Sequence, residues 1–90
     1  MTETDAGAAF LADVGLRIRL VRTARGLSQE RLAELATVSR VTLGSVERGE
    51  HASDLLTYRA VAAALDVPLG LLMDDGTDPD LLLLALSRRR

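Results

Sequence analysis

The stretch at residues 27–49 reads LSQERLAELATVSRVTLGSVERG. Ser28 and Ser39 each precede a run with apolar residues at helical spacing, and serine is a favoured N-cap because its hydroxyl accepts a hydrogen bond from an N–H group of the first turn. Residues 37–39 interrupt the first run, and Gly49 can end the second, since glycine readily adopts the left-handed conformation that follows many helices. The pattern predicts two short helices joined by a turn, with the second reaching about Val46.

Helical spacing continues on both sides of this pair. Apolar residues at steps of three and four predict an amphipathic helix from about Ala9 to Arg25, ended by Gly26. Downstream, Asp54 is expected to cap a fourth helix, and Pro68 fits the start of a short fifth helix over Leu69–Met73. No segment alternates apolar and polar residues as a half-buried strand does. The predicted fold class is all-α, with five helices.

The composition of the 90-residue chain excludes several kinds of site. A chain of this length builds one core, and it contains no cysteine and a single histidine. These counts leave no disulfide framework, no thiolate metal site and no pair of nucleophile and base, so we expect no enzyme activity, no metal and no cofactor. All eleven basic residues are arginines, and the net charge of −2 by itself argues against a nucleic-acid partner.

The chain divides into three parts on this interpretation. Residues 1–8 are small and polar and are expected to be a flexible N-terminus, residues 9–74 form the helical domain, and residues 75–90 form an acidic turn and a leucine-rich segment. The acidic start lacks the basic region of a signal peptide. The longest apolar run has six residues, against the ~20 that cross a bilayer. We therefore expect a cytoplasmic protein without a membrane partner.

The sequence of the central stretch resembles the Cro/repressor (Xre-type) helix-turn-helix family. The similar residues are 27–33, 38–40, 43 and 46–49, and the resemblance extends over about residues 14–73. It implies a five-helix, repressor-like domain that binds double-stranded DNA, with the third helix in the major groove. The function implied is a transcriptional regulator, a homodimeric repressor or autoregulator that reads a palindromic operator.

The resemblance also implies roles for individual residues. The positions that read bases correspond to Ser39, Arg40, Val41 and Ser45. Those that contact phosphates correspond to Gln29, Arg17 and Arg48. The family's ion pair between its first and third helices corresponds to Arg22 and Glu47. Arg40 is the strongest base reader of the set, because a guanidinium can donate two hydrogen bonds to guanine O6 and N7.

Three residues depart from the family's pattern. Thr37 occupies a turn position that is usually glycine, so a residue with little tolerance for positive φ stands there. Gly44 lies in the middle of the third helix, where it costs ~0.5–1 kcal/mol relative to alanine. Glu50 lies in a loop that is often basic in the family, and it is expected to repel phosphates and weaken DNA binding.

Leucines beyond the needs of one core predict a contact surface. Leu16 and Leu20 lie one turn apart and are expected to face solvent in the five-helix unit. The leucine-rich tail also needs an apolar surface to pack against. We expect the tail to form a sixth helix that packs on this stripe, within the chain or across a dimer. The predicted dimer or partner surface comprises Leu16, Leu20, Val67, Leu69, Leu72, Leu81, Leu82, Leu84 and Leu86.

Two alternatives accompany the leading function. One, within the same class, is an antitoxin with a toxin as its partner or a restriction-modification controller, and the other is a protein-interaction module that keeps the fold without binding DNA. The local charge bears on this choice, because residues 14–49 hold seven arginines against three glutamates. A basic segment between acidic flanks removes the objection that the net charge raised against DNA.

Overall fold

The computed structural model describes residues 3–50, 52–74 and 82. Over these residues it contains five helices and no strand, as the apolar spacing predicts. The helices are α1 (Glu3–Ala24), α2 (Gln29–Ala36), α3 (Arg40–Arg48), α4 (Leu55–Leu65) and α5 (Leu69–Met73). No helix in this part of the chain combines the length and the apolar character that crossing a bilayer requires.

The ends of the helices lie close to their predicted positions because local side chains determine them. The side chains of Ser28, Ser39 and Asp54 cap α2, α3 and α4, each accepting a hydrogen bond from a backbone N–H three residues ahead. Gly26 and Gly49 have positive φ angles and follow α1 and α3. Each side-chain cap is worth ~1 kcal/mol. Together with Gly49, the caps of α2 and α3 set where this pair of helices begins and ends.

The start of α1 differs from the expectation. The helix begins at Glu3 rather than near Ala9, so residues 3–8, which were expected to precede it, are helical. No proline interrupts these residues, and alanine, which occurs twice among them, is the best helix former. A helix that is already nucleated by its packed part propagates through such a segment at little cost.

The core lies between α1, the α2–α3 pair and α4. Helix α1 packs against α3, and α2 packs against both α3 and α4, while α5 closes the end formed by α1 and α4. The fully buried side chains are Val14, Ile18, Val21, Leu32, Leu43, Val61, Leu65, Leu72 and Leu82. This arrangement buries one face of α3 and leaves the opposite face in solvent.

Leu82 is the one residue of the leucine-rich tail that the structure describes. Leu82 has a helical backbone, is completely buried and belongs to the same core cluster as the residues of α1 and α4. The tail therefore contributes at this position to the core of its own chain. The predicted contact residues Leu81, Leu84 and Leu86 lie outside the described residues.

Candidate nucleic-acid interface

Helices α2 and α3 are held at a fixed angle by a tight turn. Thr37 adopts the left-handed conformation (φ 59°, ψ 44°) at the C-terminus of α2. Its N–H group and that of Val38 donate to the carbonyls of Glu34 and Ala33 at 3.1 and 3.0 Å, which is the pattern of a helix that usually ends in glycine. The expected strain is therefore present, and the turn keeps its normal hydrogen bonds around a β-branched residue.

A buried carboxylate joins three helices behind α3. Glu47 accepts hydrogen bonds from Arg22 Nε at 2.7 Å and Nη2 at 3.1 Å, and from Gln29 Nε2 at 3.0 Å. The side chains of Arg22 and Glu47 are 12% and 3% exposed, and Arg22 also donates to the carbonyl of Leu27. The pair predicted from the sequence is present, and it fixes α3 to α1 and to the first turn of α2.

The outer face of α3 carries the predicted base readers. Val41 is 79% exposed, and Arg40 is exposed and has no hydrogen bond or ion pair with another described residue. Ser45 is half-buried. Ser39 is exposed but uses its hydroxyl to cap the helix, accepting from the N–H of Thr42 at 2.9 Å. Arg40 and Val41 are thus the side chains most available for contact.

Two grooves flank these side chains. One of about 220 Å³ is lined by Gln29, Arg40, Val41, Gly44 and Arg48. The other, of about 350 Å³, is lined by Val41, Thr42, Ser45, Arg48, Glu50, Ala52 and Ser53. The structure therefore brings together on one surface the predicted residues of α3 and the start of α2.

Arg48 contacts a residue that the sequence interpretation treated only as a repulsive charge. Its Nε and Nη2 atoms donate to the two carboxylate oxygens of Glu50 at 2.7 and 3.2 Å. The hydrogen bond and the charge of Glu50 raise the pKa of Arg48 further above neutrality. Opposite charges on either side of Gly49 were the sequence signal for this pair, because a left-handed cap reverses the chain between them.

Arg17 does not lie at this surface. It is 6% exposed, and its Nη1 atom donates to the carbonyl oxygen of Leu72 at 3.0 Å. The prediction that Arg17 contacts a phosphate is therefore wrong. The arginine instead ties α1 to α5, a contact between residues 55 positions apart that spacing within one helix cannot indicate.

The predicted dimer surface is also revised. Val67, Leu72 and Leu82 are 8%, 0% and 0% exposed within a single chain, so they belong to the core and are not free for a partner. Leu20 was expected to face solvent, but it is half-buried and packs against the core. Leu69 is half-buried as well, whereas Leu16 is 46% exposed. Helix α5 packs against α1 and α4, and Leu72 and Leu82 belong to the core cluster of the chain, so these leucines are used within one copy.

Comparisons with known proteins agree with this geometry. A family model described as helix-turn-helix matches residues 18–72, which include all of α2, α3 and α4. The immunity repressor protein of Bacillus phage phi105 is 39% identical over 64 residues, which cover 71% of this chain and 44% of the repressor. The chain thus corresponds to less than half the length of that relative.

Two solved structures share the fold. The restriction-modification controller protein C.AhdI from Aeromonas hydrophila is 44% identical, with a TM-score of 0.69 over 71% of this chain and 97% of the controller. A transcriptional regulator of the same helix-turn-helix family from Vibrio cholerae is 29% identical, with a TM-score of 0.70 over 83% of this chain and 41% of the regulator.

Proposed function

The chain belongs to the helix-turn-helix family, and from that premise we propose that it is a sequence-specific regulator of transcription that binds double-stranded DNA. One observation carries the proposal: the outer face of α3 presents Arg40 and Val41 to solvent, while its inner face is fixed by the buried Glu47 cluster. A rigid helix with available side chains is what readout in the major groove requires. The names of the relatives, a repressor, a controller and a regulator, support the same class.

Different residues are assigned to the bases and to the phosphates of the DNA. Arg40 donates two hydrogen bonds to guanine O6 and N7, and Val41 offers an apolar surface to the methyl group of thymine. Gln29 lies in the first turn of α2, where N–H groups without helical partners face a phosphate. Its side chain meanwhile holds Glu47, so a phosphate bound there also orients α3. Ser39 and Ser45 supplement these contacts at the edge of the helix.

The proposal includes a homodimer that acts as a repressor or autoregulator. Two copies would read half-sites about one helical turn apart on a palindromic operator. Of the leucines predicted to form the contact, Leu16 retains substantial exposure among the described residues. The dimer surface is therefore proposed to include the exposed side of α1.

Replacement of Arg40 tests the base readout. Arg40→Ala is expected to reduce the preference for the selected operator over random duplex by about tenfold or more, because a bidentate arginine–guanine contact is worth ~1–3 kcal/mol. Binding to random duplex should fall only slightly, since phosphate contacts supply that affinity. The measurement is fluorescence anisotropy on both duplexes over a range of salt concentrations. An unchanged preference would refute the role of Arg40.

A second candidate function is a protein-interaction module, such as an antitoxin-like partner of a toxin. The observation that favours it is Glu50, whose carboxylate neutralises Arg48 at the edge of the interface. Binding to random duplex distinguishes the two, because DNA binding weakens steeply as the salt concentration rises. Failure of the chain to bind any duplex at low salt would select this second candidate.

A further inference from the structure

The side chain of Arg48 lies along α3 rather than pointing away from it. A Cβ built on Gly44 would lie 3.0 Å from Arg48 Nη1 and 3.8 Å from its Cζ and Nη2, and all three of these nearest atoms belong to that one guanidinium. Gly44 is one helical turn before Arg48, so the guanidinium is folded back toward the N-terminal end of the helix. Gly44 is buried for this reason, although it lies on the outward face of α3.

The position of the guanidinium places it beside the other base readers. Arg48 lines the groove of about 220 Å³ that also contains Arg40 and Val41. It lines the neighbouring groove with Ser45 as well. Residues 40, 41, 44, 45 and 48 follow one another at helical spacing along a single stripe of α3. Arg48 therefore continues the reading face by one more turn.

The hydrogen bonds of Arg48 leave one edge of the guanidinium available. Nε and one N–H of Nη2 face the two oxygens of Glu50, while Nη1 donates to no other described residue. A guanidinium has five N–H groups in a fixed fork. One N–H of Nη1 and the second N–H of Nη2 form the end edge, whose two donors match the spacing of guanine O6 and N7.

We infer that Arg48 is a second base-reading residue, specific for guanine, and that Glu50 is the positioning residue that holds its guanidinium in the reading orientation. The inference rests on the proposed DNA-binding function. Glu50 thereby changes role, because its carboxylate accepts hydrogen bonds from Nε and Nη2 and orders the guanidinium before DNA arrives. A side chain held in its bound conformation loses less conformational entropy on binding. Gly44 supplies the space for the folded-back geometry.

The test uses the full chain and an operator selected from random duplexes. Each guanine of the operator is replaced in turn by 7-deazaguanine, which lacks the N7 acceptor. For the wild type we expect a loss of roughly tenfold in affinity at two guanines of each half-site, in line with the worth of a bidentate contact. The sensitivity of one should disappear in Arg40→Ala, and that of the other in Arg48→Ala.

Lysine is the informative replacement at position 48 because it keeps the charge. A phosphate contact keeps its strength in Arg48→Lys, whereas the contact of a planar guanidinium fork with guanine is weakened. Arg31→Lys is the matched control, since Arg31 is equally exposed and pairs with a nearby glutamate, Glu34, at 3.1 Å. That control should leave every guanine's sensitivity as it is in the wild type.

Two further variants test the positioning. Glu50→Gln removes the charge and one acceptor, and Gly44→Ala displaces Nη1 by a few tenths of an ångström. Both changes should reduce the loss of affinity that 7-deazaguanine causes at the guanine assigned to Arg48, to about twofold or less for Glu50→Gln. The loss at the guanine assigned to Arg40 should stay as it is in the wild type. Circular dichroism should show the same helix content in both. A structural role alone would lower affinity at all guanines together.

The outcomes separate this inference from the function on which it rests. If Arg48→Ala leaves two sensitive guanines in each half-site, or weakens operator and random duplex equally, Arg48 is a phosphate contact and the inference is wrong. The proposed function would stand in that case, because the guanine assigned to Arg40 would remain. A wild type with no preference for any duplex would overturn both.

Discussion

The orientation of α3 depends most directly on the carboxylate of Glu47. Its two oxygens accept hydrogen bonds from Arg22 and Gln29, which belong to α1 and α2. Charged groups this deeply buried are tolerable only when paired, because the desolvation of each is otherwise uncompensated. The cluster therefore fixes the relative positions of three helices. We expect the fold to be destabilised when any one of its side chains is lost.

Removal of this carboxylate should destabilise the domain strongly. Glu47→Ala leaves the guanidinium of Arg22 buried without its counter-ion, and we expect the free energy of unfolding to fall by about 3 kcal/mol. Glu34→Ala is the control, because Glu34 pairs with Arg31 on the surface with 62% of its side chain exposed. That change should cost less than ~0.5 kcal/mol. Urea denaturation measures both, and equal effects would contradict the structural role of the Glu47 cluster.

Thr37 offers the opposite case, a residue whose replacement should stabilise the fold. A non-glycine residue in the left-handed region costs ~1–2 kcal/mol, and glycine gives back part of this gain through its greater freedom in the unfolded chain. Thr37→Gly should therefore raise the free energy of unfolding by about 0.5–1 kcal/mol, since the hydrogen bonds of the turn involve only backbone atoms.

The comparison for Thr37 is Asp66, which ends α4 with the same φ of 59° and takes part in a further interaction of its own. Aspartate tolerates the left-handed conformation better than a β-branched residue does. Asp66→Gly should therefore stabilise the domain by less than Thr37→Gly. A thermal denaturation series that ranked the two in the other order would show that strain at Thr37 is not the dominant effect.

At the scale of helices, α1 and α3 cross with their backbones close together. A Cβ on Gly15 would overlap the backbone carbonyl oxygens of Val46 and Glu47. Gly49, at the end of α3, would meet the backbone of Ala12 in the same way, with 2.7 Å to its Cα. Two glycines on opposite helices thus allow the backbones to touch, and the close contact brings Arg22 within reach of Glu47.

A methyl group at this crossing should separate the helices. Gly15→Ala is expected to lower the free energy of unfolding by about 2–3 kcal/mol, because backbone atoms cannot move aside as side chains do. Gly7→Ala, in the same helix, is the control, since nothing lies within 4 Å of its added Cβ. It should instead stabilise the domain by about 0.5–1 kcal/mol. A stabilising effect of Gly15→Ala in chemical denaturation would disprove the tight crossing.

The sequence predicted those elements whose determinants are local. Ser28, Ser39 and Asp54 cap the helices that they precede in sequence, and the Arg22–Glu47 pair followed from a family resemblance rather than from spacing. Arg17 shows the limit of this reasoning, because an exposed arginine and a buried one look alike until the position of α5 is known. The resemblance placed Arg40 and Val41 on α3, where they are exposed, whereas the pairing of Arg48 with Glu50 required the conformation at Gly49.

For the whole molecule, the burial of Leu72 and Leu82 changes how a dimer can form. Both residues were assigned to a contact surface, yet they lie in the core of one chain. The acidic residues that make the net charge negative lie mostly outside residues 14–49. Of the seven arginines in that segment, Arg17 and Arg22 are engaged within the fold, which leaves less positive charge at its surface than the count suggests. In the proposed homodimer, two recognition helices would share the readout, and this needs a contact between copies.

Leu16 is the described residue of the predicted surface that remains available for this contact. We expect Leu16→Glu to shift the protein from dimer to monomer, because a carboxylate placed in an apolar contact is desolvated without a partner. Affinity for the full operator should fall by about tenfold or more, and affinity for an isolated half-site should be unchanged, since each recognition helix stays intact. Sedimentation equilibrium and anisotropy measure the two effects.

Leu35→Glu is the control for this prediction, because Leu35 on α2 is 45% exposed against 46% for Leu16. The two changes add the same charge at equally exposed leucines, so a difference in mass must come from the contact itself. Leu35→Glu should leave the dimer intact. Dimers in both variants would remove α1 from the interface, and a monomeric wild type at the concentrations that occupy the operator would overturn the homodimer. In that last case a single domain would have to obtain its selectivity from the contacts of α3 alone, at ~1–3 kcal/mol for each bidentate pair.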